Sequence, residues 1–215
     1  MAAYKLVIFD FDGTLADSFG WFMRSVHSVA QRFHFTPPDL DRLEELRGYS
    51  SRQLMAQFGI AWWKLPFIIH HMRRLMNEQV SEIKPFPGVD ELLHTLTNTA
   101  IDIAIVTSNS EKNVKAVLGT QNMALVRASS YGAALYGKQR RFSTLLKQCR
   151  CLPTDALCVG DEIRDAEAAA ACGIDFLGVA WGFTKPSELQ KYTRLKICDS
   201  VEEILTVATG NLPHN

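Results

Sequence analysis

The sequence predicts an α/β protein, a doubly wound parallel sheet with a helical lobe inserted after its first strand. Three observations carry this prediction. Short apolar runs recur at 5–10 (KLVIFD), 101–107 (IDIAIVT), about 124–128, 156–160 (ALCVG) and 175–180, and unbroken apolar runs of this length read as strands buried on both faces. Stretches with helical spacing separate them, and alternating strands and helices imply a parallel sheet covered by helices. The interval 16–84 breaks the alternation, because it holds no convincing strand and carries apolar residues at helical intervals.

Taken in order, the first strand ends on Asp10. The lobe follows, with one apolar stripe through Phe19, Phe22, Met23, Val26, Val29, Ala30 and Phe33 and a second through Leu65, Ile68, Ile69, Met72, Leu75 and Met76, the spacing of two amphipathic helices. Pro85, Pro87 and Gly88 mark the return to the sheet. After the second strand, Ser110 is placed to cap a helix through Val114, Val117 and Leu118 that ends at Gly119, and the Ala-rich segment 162–172 stops at Gly173. The expected organisation is a core of residues 1–15 and 85–215 with a helical insertion at 16–84. No internal repeat or low-complexity tract interrupts it.

Composition narrows the function. The 215 residues hold 23 Lys+Arg against 23 Asp+Glu, and 47% of positions are hydrophobic, which excludes a disordered or collagen-like chain. A net charge of zero supplies no long-range field for a phosphate polymer, so nucleic acid is not an expected partner. No apolar run approaches the roughly 18–20 residues of a membrane helix, and the N-terminus reads as a strand, not a signal peptide. The five cysteines are odd in number and confined to the last third of the chain, a poor disulfide framework that fits a reducing cytoplasm. Cys158 reads as a small core residue. His70 and His71 fall on the polar side of a helix, and no His or Cys spacing suggests zinc. Trp62 and Trp63 are expected to pack within the helical lobe.

The residues that carry chemistry begin with Asp10-Phe11-Asp12-Gly13-Thr14, at the strand end where an open α/β sheet binds its ligand. In an extended segment the two carboxylates would share a face, but the strand ends here and Gly13 permits a turn, so their roles can diverge. An ionised Asp can attack phosphorus and form an aspartyl-phosphate. A neighbouring carboxyl can protonate the leaving alcohol and then deprotonate the attacking water.

At this motif the chain resembles the haloacid dehalogenase superfamily of phosphohydrolases, and the resemblance runs over nearly the whole length. The family ends its second core strand on a Thr or Ser that binds the phosphoryl group. The matching residue is Thr107, followed by Ser108 and Asn109, and Thr14 joins them as a substrate-binding group. Taken alone, Thr107 also reads as a helix-entry cap. The family's later Lys matches Lys138, whose charge would screen an incoming phosphate dianion from the nucleophile. Many relatives follow that Lys with Pro, whereas here Gln139 follows, and a solvated basic helix start is the other reading.

A fourth segment, Gly160-Asp161-Glu162-Ile163-Arg164-Asp165, matches the family's G-D-x-x-x-D pattern. The resemblance implies Mg²⁺ held by the Asp10 side chain, the Asp12 backbone carbonyl and Asp161, with Asp165 binding directly or through water, an oxygen set suited to a hard cation. Asp165 alone also reads as a favourable charge at a helix N-terminus, and Glu162 as a supporting group. The insertion at 16–84 matches the family's helical cap, a lid that closes over the substrate. Arg47, in Leu46-Arg47-Gly48-Tyr49, resembles the cap loop that relatives point at the substrate, although a surface position near a helix end suits it as well.

The resemblance therefore implies a Mg²⁺-dependent phosphatase, similar to phosphoglycolate phosphatases, acting on a small soluble phosphate ester, with Asp10 as nucleophile and Asp12 as acid then base. It would work as a monomer or homodimer without nucleic-acid or membrane partners. A phosphosugar mutase of the same superfamily retains both carboxylates. A regulatory or binding protein that is phosphorylated on Asp without turnover is the reading from another class, against which Asp12 speaks.

Overall fold

The computed structural model describes residues 4–132 and 137–210. Five parallel strands, β1 (Leu6–Phe9), β2 (Asp102–Val106), β3 (Val126–Ser130), β4 (Ala156–Gly160) and β5 (Asp175–Gly178), form one sheet in the order β3-β2-β1-β4-β5. The chain winds to one side of β1 and then to the other, which opens a crevice at the C-terminal ends of β1 and β4. Phe9 is opposite both Ile105 and Val159. This register brings the residues that follow β1, β2 and β4 to one place.

Strands β1 and β4 are buried along their whole length, as expected for a sheet covered on both faces. Val7 and Phe9 pack with Leu92, Leu93 and Leu96 of α5 (Val89–Asn98) and with residues of α6 (Glu111–Leu125) and α10 (Val201–Ala208). Leu6 and Ile8 point to the other face, against Phe142 and Leu145 of α7 (Lys138–Cys149) and Ala166 and Ala169 of α8 (Ile163–Cys172). Alanines let α8 lie close to the sheet, which keeps its N-terminus beside β1. A short helix, α9 (Pro186–Leu189), follows β5.

Between β1 and β2 the chain makes the helical excursion that its two apolar stripes predict. It contains α1 (Phe19–Phe33), α2 (Leu43–Leu46), α3 (Ser51–Gln57) and α4 (Leu65–Glu78). Ala16 bridges to Pro85 at the base, where the expected insertion begins and ends. α1 is anchored through Trp21, Val26, Val29 and Ala30, and α4 through Ile68 and Met76.

Two local expectations need adjustment. The helix capped by Ser110 ends at Gly119 as expected, where φ 76° and ψ 168° break it, but a second helical piece runs on from there to Leu125. Asn122 stabilises this continuation by donating to the Leu118 carbonyl and to Asp90, so the third strand starts at Val126 and not near 124. Trp62 and Trp63 do not pack into the lobe. They stand on a 3₁₀ turn ahead of α4, 79% and 56% exposed, because the turn carries them off the buried stripe. All five cysteines are free, and Cys158 is buried in β4 as expected. Among the described residues no helix is long and apolar enough to cross a membrane.

Candidate active site

The site starts where β1 runs out. The Asp10 N–H still donates to the Val159 carbonyl, as a further rung of the sheet, which fixes the Asp10 carboxylate at the strand tip. The chain then turns through Gly13 at φ 76°. A β-carbon on Gly13 would lie 2.4 Å from Asp161 Oδ2, and one on Gly182 would lie 2.1 Å from the Asp161 β-carbon. Both glycines are therefore required by the close approach of backbone to Asp161 as well as by the turn.

Asp161, at the end of β4, is completely buried and held from two sides. Its Oδ1 accepts from the Thr14 hydroxyl at 2.9 Å and its Oδ2 from the Phe183 N–H at 2.7 Å. Thr14, expected to bind substrate, thus orients a carboxylate. The loop of Gly182 and Phe183 carries no motif that sequence reasoning picked out. Asp165 caps α8 by accepting from the Glu162 N–H at 3.2 Å, so its helix-end role is real, and it also forms an ion pair with Lys138.

Lys138 opens α7 and is buried, not solvated; its ammonium sits 2.7 Å from Asp10 Oδ2 as well as against Asp165. Burial pulls its pKa down, but the charges of Asp10 and Asp165 outweigh burial and hold it above the usual lysine value. The Asp10 contact is not aligned as a hydrogen bond, and Asp10 Oδ2 is left as a buried oxygen without a hydrogen-bonded donor.

Asp10, Asp161 and Asp165 each place a carboxylate oxygen within 4.8 Å of the others. Desolvation, followed by the charges of Glu162, Asp10 and Asp165, pushes the Asp161 pKa well above the carboxylate range. Such crowding of buried carboxylates, with an all-oxygen donor set that one lysine charge does not balance, fits a hard divalent cation.

Asp12 faces the space in front of the sheet. Burial and the Asp10 charge raise its pKa to about 6, against the opposing pull of the Asn109 amide. Asn109, expected on the phosphoryl group, donates through Nδ2 to both Asp12 oxygens, at 3.2 and 3.0 Å. Its own Oδ1 accepts from Asn113 Nδ2 at 2.9 Å, and Asn113 in turn accepts from Asn77 of α4 at 3.1 Å. A row of amides therefore links the excursion to the proposed acid/base group. The i, i+4 spacing of Asn109 and Asn113 at a helix start was the available signal for it.

Thr107 is buried at the end of β2, where its Oγ1 accepts the Asn109 N–H at 2.9 Å; the helix that follows is capped by Ser110, not by Thr107, and the Thr107 hydroxyl remains at the strand tip. Ser108 lines the cavity above, and its carbonyl accepts from Arg73 Nε at 2.6 Å. Arg73, on α4 beside the second apolar stripe, was not singled out by sequence.

Arg47 also lines the cavity, but its guanidinium clasps the core: Nη2 donates to the Gly182 carbonyl at 2.9 Å, Nε to Phe183 at 3.4 Å, and Nη1 pairs with Glu44. Ser51 adds a second tie, donating to Glu162 Oε2 at 3.0 Å, while Glu162 pairs with Arg164. The Nε and Nη1 atoms of Arg164 are buried without a hydrogen-bond partner.

With this geometry in view, the likenesses to known proteins are specific. The profile of the haloacid dehalogenase-like hydrolases matches residues 7–179. A phosphoglycolate phosphatase from Synechococcus elongatus is 32% identical over 86% of this chain and 88% of its own length. A 5'-nucleotidase from Pseudomonas aeruginosa is 28% identical, covering 91% of each chain. In structure, a predicted phosphatase from Clostridium acetobutylicum superposes with a TM-score of 0.79 over 96% of this chain and 98% of its own, at 23% identity. The chain belongs to the haloacid dehalogenase-like hydrolases, on their phosphoric monoester hydrolase side. Within that group it is similar in sequence to the phosphoglycolate phosphatases.

Proposed function

We propose that the protein is a Mg²⁺-dependent phosphatase of small-molecule phosphomonoesters that works through an aspartyl-phosphate on Asp10. The observation that carries this reading is the pairing of Asp10, held in a buried cluster with Lys138, Asp161 and Asp165, with Asp12, which faces the cavity at the raised pKa of a proton donor.

An Asp10 oxygen attacks phosphorus as the ester P–O bond breaks, and the protonated Asp12 carboxyl gives its proton to the departing alkoxide. Asp12, now ionised, takes a proton from water. The hydroxide attacks the same phosphorus, the P–O bond to Asp10 breaks, and inorganic phosphate leaves with Asp10 restored. Asn109 holds Asp12 in place through both steps, and Lys138 offsets charge beside the nucleophile. The Thr107 hydroxyl and the backbone after β2 are at hand for phosphoryl oxygens. Asp10, the Asp12 carbonyl, Asp161 and Asp165 would hold Mg²⁺, which when bound neutralises phosphoryl charge and makes phosphorus more electrophilic.

Residues 16–84 serve as the cap over this site, tied down in this arrangement by Arg47 and Ser51. The free thiols suit a cytoplasmic location. The test is phosphate release from a panel of small phosphate esters with Mg²⁺, combined with acid quenching and peptide mapping of the phosphorylated residue. Label on Asp10 with steady release is expected. Phosphorylation without turnover would move the protein to the regulatory class, and transfer to a sugar phosphate without release would make it a mutase.

A further inference from the structure

Directly above Asp12 lies a cavity of about 330 Å³ between the helical excursion and the sheet. Native interiors hold few voids larger than a water molecule, whereas about 300 Å³ is where small-molecule pockets begin. Its lining is divided. Polar groups gather at the end nearest the sheet, and they belong to core loops or to excursion residues bonded to those loops: Asp12, Asn109, Arg73, Arg47, Ser51 and Glu162. Nearly all of these already have partners within the protein. Most of the remaining lining, including Val26, Val29, Leu54, Phe58, Ile68 and Met72 of the excursion, is apolar.

We propose that the leaving group of the physiological substrate is an apolar alcohol, so that the substrate class is alkyl or aryl phosphate monoesters. This rests on the phosphatase reading and goes beyond it. A phosphoryl group on Asp10 directs the ester oxygen toward Asp12 and the rest of the substrate into the apolar part of the cavity. A carboxylate set against these apolar side chains would find no donor among them and would give up hydration there, at high cost. The buried, unpartnered Nε and Nη1 of Arg164 do not change this, since Arg164 shares the polar end with Glu162 and Asp165. A two-carbon carboxylate ester such as 2-phosphoglycolate would leave the apolar region empty. A methylene chain would fill it, and each methylene buried there should improve transition-state binding about fourfold.

The test uses the full-length protein with Mg²⁺ and measures kcat/KM for methyl, propyl and hexyl phosphate, phenyl phosphate and 2-phosphoglycolate. Calorimetric Kd values for methyl- and hexylphosphonate give a readout independent of turnover. Efficiency and phosphonate affinity should climb with chain length, and 2-phosphoglycolate should fall below hexyl phosphate. Val29→Phe and, as a second variant at another wall, Leu54→Phe should each cut the hexyl-to-methyl ratio at least tenfold. A flat series in an enzyme that hydrolyses all the esters, or a preference for 2-phosphoglycolate, would overturn the proposal and leave the phosphatase reading standing. Folded Val29→Phe and Leu54→Phe proteins that gain thermal stability and keep the full chain-length slope would show the void to be loose packing of the lobe, which also overturns it. No hydrolysis of any ester would instead remove the phosphatase reading.

Discussion

The two ends of the cavity are built on opposite principles. The floor, at the tips of β1, β2 and β4, crowds buried carboxylates near one lysine, with Asp161 fixed by directional bonds from Thr14 and Phe183 and Asp12 by bonds from Asn109. The roof, contributed by α1, α3 and α4, is apolar, and only a few side chains of α1 and α4 are fully buried. The floor gives up electrostatic comfort for chemistry, because like charges held together in a dry site are unfavourable until a cation or phosphate arrives. The roof gives up packing for space. The difference teaches that the charged groups are held at the strand ends, while the space beside them is shaped by a helical layer, the division on which the proposed reaction and the proposed substrate class rest.

The largest expected effect on this contrast comes from the floor. Asp10→Asn removes the nucleophile with little change in shape and should lower steady-state phosphate release on the order of 10⁴-fold or more, with circular dichroism unchanged. Near-normal turnover would place the nucleophile elsewhere. Chelation comes next. Exhaustive treatment with EDTA should silence the enzyme, and Mg²⁺ should restore it, while Asp161→Ala should raise the Mg²⁺ needed for half-maximal rate or abolish turnover. An unchanged Mg²⁺ titration in that variant would take Asp161 out of the ligand set.

Asn109→Ala, which frees Asp12 without touching the other carboxylates, should cost about 10²-fold in kcat; a change confined to KM would make Asn109 a substrate contact after all. Stability separates the two regions further. Leu93→Ala, at a fully buried position under the sheet, should cost about 3 kcal/mol or more, whereas Ile68→Ala, beside the cavity, should cost nearer ~2 kcal/mol because fewer contacts are lost there. Urea titration measures both, and equal losses would mean that the roof is packed as tightly as the core. The smallest effect is expected for Ser51→Ala, which removes one hydrogen bond between α3 and Glu162 and should lower stability by about 1 kcal/mol.

What the sequence determined by itself was the part of the molecule governed by local pattern. Apolar runs are strands wherever a covered sheet needs them, so β1, β2 and β4 were legible to within a residue or two. The motifs at Asp10–Thr14 and Gly160–Asp165 stand at strand ends, where position in the chain already implies position in space. The third strand begins two residues later than expected because a second helical piece follows the break at Gly119, held by Asn122 bonding to Asp90, a residue far back in the sequence. Trp62 and Trp63 were misread because composition cannot say which way a short turn throws its side chains.

Only the tertiary structure decided how the polar residues divide their work. Thr14 donates to Asp161 and Asn109 to Asp12, and Arg47 closes on the carbonyls of Gly182 and Phe183. Asn113, Arg73 and the Gly182–Phe183 loop enter the site from segments that carry no motif. The reason is physical. A strand or helix is specified by contacts a few residues apart, whereas a hydrogen bond between residues 97 or 147 positions apart exists only once the sheet register has brought their strand ends together.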